Sequence, residues 1–144
     1  MRLTAFTDYG LRALMRLAGE PERSFTTDEI AREFRISRHH LIKIVATLAE
    51  AGIVSTQRGA GGGFRLARAA KNVTLGQIVR VLEAEQALVE CFRADGGDCV
   101  LLPGCRLKNK FAAAHEAFLR ELDRTSLAEI AHPKPRAKAL ARAG

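Results

Sequence analysis

The chain has 144 residues, 47% of them hydrophobic, and a formal net charge of +7. That is one ordinary domain with material for a core, not a disordered polymer. No apolar run approaches the ~20 residues needed to cross a bilayer. Arg12 and Arg16 interrupt the apolar N-terminus, which lacks a small-residue cleavage site. A secretory leader and a membrane partner are therefore not expected, and a cytoplasmic location is. The basic excess points to an anionic partner, and its distribution says more than its total. Between Arg35 and Arg68 stand six Lys/Arg against one acid, Glu50, and no Asp or Glu occurs between Glu50 and Glu83. A solvated face normally mixes its signs, so this stretch points to phosphate.

In chain order, Thr7 is placed to cap a first helix with Asp8 near its positive end. Leu11, Leu14, Met15 and Ala18 recur at helical spacing, and Glu20-Pro21-Glu22 closes the segment. Thr26 and Glu29 have capping-box spacing at the start of a second helix, with Ile30, Ala31 and Phe34 facing its core. After a short turn at Arg35-Ile36, Ser37 caps a third helix from Arg38 to about Glu50. Leu41, Val45 and Leu48 form its buried side, leaving Arg38, His39, His40, Lys43 and Thr47 to face outward. Two short helices across a tight turn, with donors clustered at the start of the second, follow helix-turn-helix logic. Ala51-Gly52 ends the third helix.

Ile53–Arg58 and Phe64–Leu66 then read as a hairpin around Gly59-Ala60-Gly61-Gly62-Gly63, which is a wing with arginines at both shoulders. A phosphate-cradling nucleotide loop is the rival reading, but such a loop runs into a helix and carries Lys-Ser/Thr, and this one does neither. The expected DNA contacts are Thr27, Ser37, Arg38, His39, His40 and Lys43 from the helices, and Arg58, Gly61, Gly62 and Arg65 from the wing. The basic side chains would meet phosphates and the major groove, with a wing arginine near a minor groove.

Thr74 is expected to cap a fourth helix, Leu75 to about Ala84, with Leu75, Ile78, Val79 and Leu82 as its apolar stripe. All three cysteines follow, Cys91, Cys99 and Cys105, spaced C-x7-C-x5-C in a loop rich in Gly and Asp. Beyond it Leu107, Phe111, Ala114, Phe118 and Leu122 form a seam suited to a partner helix, so a homodimer spanning two half-sites is expected. Thr125 would cap a last turn through Ile130, and HPKPRAKALARAG has no hydrophobic pattern and reads as a disordered basic tail. The organisation expected is a winged helix-turn-helix over residues 1–84, a cysteine loop over 85–106, a dimerisation helix over 107–131 and the tail over 132–144. The fold class is mainly α with a small β wing.

An odd number of thiols in a cytoplasmic chain argues against a disulfide framework. Thiolates suit zinc, copper(I) and iron–sulfur clusters. Structural zinc usually shows a tight cysteine knuckle, absent here, whereas gaps of seven and five residues suit a larger inorganic core. A structural metal and free thiols remain alternatives on spacing alone. For a cluster with four iron corners, three thiols leave one corner to another atom or open. A thiolate enzyme would need a base near its nucleophile; the loop contains no His, and His115 lies on the long helix, so no enzyme is expected.

The segments LTAFTDYGLRAL, SRHHLIKIVATLAEAGIV, RGAGGGFRLA and C…C…CRLK together resemble the winged-helix iron–sulfur transcriptional repressors, from Met1 to Ile130. The resemblance is nearer to the nitric-oxide-sensing branch than to the iron–sulfur-biogenesis branch, which has His where Lys108 stands. It implies a dimeric repressor of a double-stranded DNA operator that releases DNA when nitric oxide attacks its cluster. It also implies a cluster on Cys91, Cys99 and Cys105, of the 4Fe-4S type in preference to 2Fe-2S. Asp8 matches the position from which this branch supplies a fourth ligand across the subunit interface. A regulator reporting iron or cluster supply, or a zinc-stabilised DNA-binding protein, would share this organisation. One departure is the Cys91–Cys99 gap, which is longer than relatives have.

Overall fold

The structure is a computed structural model and describes residues 2–134. Five helices, α1 (Ala5–Gly19), α2 (Thr27–Phe34), α3 (Arg38–Glu50), α4 (Leu75–Leu82) and α5 (Arg106–Asp123), surround one core, with strands β1 (Val54–Gln57) and β2 (Gly63–Leu66) forming a hairpin. The expected basic tail falls outside the described residues from position 135 onward.

Helix α1 begins earlier than its sequence suggests. Thr4, not Thr7, is the cap, accepting from the Thr7 backbone N–H at 3.2 Å. The Thr7 side chain is buried and donates instead to Glu83. Glu83 also accepts from the Thr4 backbone N–H and hydroxyl, each at 2.8 Å. A carboxylate from the end of α4 thus sits on the positive end of α1. That partner lies 79 residues away along the chain, so local reading could not find it.

Arg16 is also buried. Its Nε donates to Glu33 of α2 at 2.8 Å, and its guanidinium lies 4.8 Å from the centre of the Phe25 ring. This pair ties α1 to α2 through the interior.

Helix α2 is capped by Thr26, which accepts from the Glu29 N–H at 3.1 Å. The Glu29 side chain does not complete the box; it pairs with Arg23. Arg35 adopts a left-handed conformation (φ 55°) and turns the chain into α3, with Ser37 at the N-cap but making no side-chain cap bond. At the other end Gly52 (φ +70°) and the Ile53 N–H to Leu48 carbonyl bond of 2.9 Å close α3 with a C-terminal glycine motif.

The hairpin is antiparallel, with Val54 opposite Leu66 and Gln57 opposite Gly63. Phe25 bridges to β2 from its other side by exchanging backbone bonds with Phe64 at 2.7 and 2.9 Å, which roots the wing in the core. Thr74 and Gln77 form a complete capping box on α4. The final turn, Leu127–Ile130, is capped by Ser126 and not by Thr125, whose carbonyl is taken up by the Leu75 N–H at 3.0 Å.

Leu14, Leu17, Phe25, Ile30, Leu41, Ile44, Leu48, Ile53, Ile78 and Leu127 close the core from all sides. Helix α5 is anchored through its second half. There Leu119 is buried, and Asp123 accepts from Thr74 and Arg80 of α4 at 2.8 and 2.9 Å. Toward its start Leu107 and Phe111 remain exposed.

Candidate DNA-binding face and cysteine loop

Burial of Leu41, Ile44, Val45 and Leu48 fixes the roll of α3. Its opposite face, with Arg38, His39, Ile42, Lys43 and Ala46, is therefore exposed. Ser37 and His40 are exposed beside it, and Thr27 is half-buried at the start of α2. The His40 ring lies 6.5 Å from that of Tyr9, so α1 supports the start of α3.

All six basic residues of the one-signed stretch, Arg35, Arg38, Lys43, Arg58, Arg65 and Arg68, are exposed. Among the described residues only Arg38 of these six has an acidic partner, Asp28 at 2.6 Å from its Nε. Arg58 and Arg65 stand on the wing. Gly61 (φ +75°) and Gly62 form its tip, where a Cβ on Gly62 would come within 2.7 Å of the Gly59 carbonyl oxygen. The tip is narrow because only glycine permits it.

The three cysteines are free thiols, each half-exposed. Cys91 sits in the turn Glu90–Phe92, and Cys105 is the N-cap of α5, whose first turn contains no acid and whose cap makes no side-chain bond. Cys91 also lines a cleft of 780 Å³ between α4 and α5, together with Lys108 and His115.

The longer Cys91–Cys99 gap folds outward as a turn of its own. Asp95 accepts from the Gly97 N–H at 3.0 Å and pairs with Arg93 at 2.6 Å, while Gly96 and Gly97 carry φ of +80° and +63°. Glu90 accepts from the Asp98 N–H at 3.0 Å and ties the two ends of the bulge together.

As a donor set, three unpaired thiols on one Gly-rich loop suit a soft inorganic group. Among the described residues no three Cys, His, Asp or Glu side chains converge on one point. The fit is therefore one of donor chemistry and shared loop. Asp8, the expected fourth ligand, is half-exposed and pairs with Arg12 of its own helix at 2.6 Å.

This chain matches the Rrf2 family, described as iron-dependent transcriptional regulators, over residues 3–133. The chain belongs to the Rrf2 family. It is 46% identical over 131 residues to the HTH-type transcriptional regulator NsrR of Geobacillus kaustophilus (strain HTA426), a match covering 90% of this chain and 89% of that one. Among solved structures, CymR, the global cysteine regulator of B. subtilis, is 27% identical with a TM-score of 0.70, covering 91% of this chain and 96% of that one. T. potens IscR is 26% identical with a TM-score of 0.66, covering 100% of this chain and 89% of its own. The protein is thus an Rrf2 transcriptional regulator, not an enzyme, and it shares the mainly helical winged architecture of these Rrf2 structures.

Sequence reasoning missed two features of this Rrf2 chain. Asp28 holds Arg38 across the helix-turn-helix. Glu83 holds the start of the helix that carries Asp8. Neither leaves a local signal, since each pairing depends on how separate helices meet.

Proposed function

We propose that the protein is a homodimeric repressor that grips a double-stranded DNA operator through α3 and the wing. In this reading an iron–sulfur cluster on Cys91, Cys99 and Cys105, with the partner subunit's Asp8 as fourth ligand, sets the grip and makes nitric oxide the effector. The carrying observation is the coexistence of an exposed basic face with three free thiols on a single loop beside the uncovered start of α5. A 46% identical regulator called NsrR supports it.

When bound, such a cluster supplies an iron corner with an exchangeable oxygen ligand, open to a small diatomic gas. The remaining work belongs to the chain. Lys43, Arg58 and Arg65 are exposed without acidic partners among the described residues, so phosphate can reach them without breaking an ion pair. Arg38 can keep its Nε on Asp28 and turn its remaining donors to DNA. Asp8 is held by one ion pair at 49% side-chain exposure. A pair that exposed is worth about 0–1 kcal/mol, so it competes weakly with ligation. Leu107 and Phe111 offer the second copy an apolar seam.

The test is anaerobic purification of the full chain, a visible spectrum with iron and sulfide content, and a nitric oxide titration followed by DNA-binding anisotropy. A coloured protein whose DNA affinity collapses with gas is expected. A colourless zinc protein with unchanged DNA affinity refutes the proposal. Asp8→Ala should alter the spectrum or the gas response, and a variant identical in both ends the bridging assignment. A second reading, a sensor of iron or cluster supply, is favoured by the family's description as iron-dependent. In that case DNA binding would follow cluster loading and ignore the gas.

A further inference from the structure

The buried side of α3 is filled by Leu41, Ile44, Val45 and Leu48, so an apolar residue outside that set needs its own reason. Arg38, Ile42 and Ala46 step by four along one exposed strip, flanked by His39 and Lys43. Ile42 is 43% exposed. Among the described residues four other large apolar side chains are exposed, and all of them, Val100, Leu101, Leu107 and Phe111, belong to the cysteine loop or the start of α5. Ile42 stands apart from them, inside the most basic stretch of the chain. A lone surface isoleucine is ordinary. This one occupies the middle of the proposed reading face, where a β-branched residue is a poorer helix former than Lys, Gln or Arg.

We propose that Ile42 reads thymine by packing on the C5-methyl group of one thymine in the major groove of each half-site. This rests on the DNA-binding reading above. The chemistry is selective. Ile42 has no donor or acceptor, so it cannot hold a phosphate or pair with a base edge. In the major groove the thymine methyl is the one apolar mark a base presents. Arg38, four residues before Ile42 on the strip, and Lys43, which flanks it three residues before Ala46, supply the charge that brings this face to the duplex, and Ala46 leaves room for close approach. Lys43 and Arg38 account for affinity; Ile42 accounts for preference at a position no charge reads.

The test takes anaerobically purified full-length protein and the duplexes it retains from a random-sequence pool. Each thymine of a retained duplex is replaced in turn by deoxyuridine, which removes only the methyl, and affinity is read by anisotropy. Burying one methyl-sized group predicts a loss of about fourfold at one thymine per half-site. Ile42→Ala should bind thymine and uracil duplexes equally at that position, Ile42→Val should keep most of the preference, and Lys43→Ala should weaken both duplexes alike. Because Ile42 is exposed, circular dichroism of Ile42→Ala should match the parent. The inference is overturned if the parent shows no thymine-sensitive position, or if Ile42→Ala keeps every thymine preference. A parent that retains no duplex at all overturns the DNA-binding reading, and the inference falls with it.

Discussion

Replacing Arg16 with Met tests whether the α1–α2 junction is held by a buried charge pair. The Arg16 side chain is 1% exposed and that of Glu33 9%, with 2.8 Å between Nε and the carboxylate. Arg16 Nη1 also pairs with Glu20 at 2.5 Å, but the Glu20 side chain is 47% exposed and is rehydrated when Arg16 is lost, so Glu33 is the carboxylate left stranded. Met fills much of the aliphatic volume, yet it strands the Glu33 carboxylate away from water. Leaving one member of a buried pair uncompensated costs about 3–5 kcal/mol, whereas replacing both members is often near neutral. Arg16→Met alone should therefore destabilise by about 3 kcal/mol or more, and Arg16→Met/Glu33→Gln should recover most of that. The lost contact with Phe25 is common to both variants and drops out of the comparison. Urea denaturation at fixed protein concentration, followed by circular dichroism, measures the difference. If the single and double variants are equally stable, Glu33 is solvated and the reasoning about the junction is wrong.

Three further outcomes are expected. Lys43→Ala should weaken binding to every duplex alike and lower the slope of log affinity against log salt by about one unit; loss confined to one sequence would remove Lys43 from the phosphate contacts. Gly76→Ala should destabilise by about 1–3 kcal/mol despite a helix-propensity gain of about 1. The new Cβ would fall on the Asp123 carboxylate and 2.7 Å from the Leu119 carbonyl oxygen, forcing α5 off α4, and an unchanged denaturation midpoint would show that the helices part freely. The Asp123 carboxyl is held below its usual range, first by the hydrogen bond from Arg80 and then by that from Thr74. Its folded pKa is lowered, so its stabilisation is complete above the ordinary carboxylate value of about 3.9 and is lost as pH falls through the folded value. Thermal melts of Asp123→Asn should accordingly show a shallower loss of stability on acidification than the parent, and parallel acid limbs would contradict this.

Most of the helix-turn-helix was legible because its signals are local. Thr26 and Thr74 cap the helices whose first turns they precede, and Gly52 stops α3 where a positive φ is needed. The stripe Leu41, Val45 and Leu48 gave the buried side of α3, and hence the outward face of Arg38, His39 and Lys43, because 3.6-residue periodicity is a property of the chain alone. The glycine run at the wing likewise demanded a hairpin tip before any fold was known.

What sequence could not show is every arrangement made by atoms far apart in the chain. Thr4 displaces Thr7 as the α1 cap because Glu83 arrives from α4, and Thr125 loses its capping role because Leu75 takes its carbonyl. Arg16, which as a sequence feature only broke an apolar run, becomes an interior tie once α2 brings Glu33 to it. The cysteines were visible as donors, but their half-exposure, the outward bulge between two of them and the uncovered start of α5 come from packing. Capping, periodicity and donor type belong to short stretches of chain. The roll of one helix against another, and the charge that meets it there, depend on how all of them share one core.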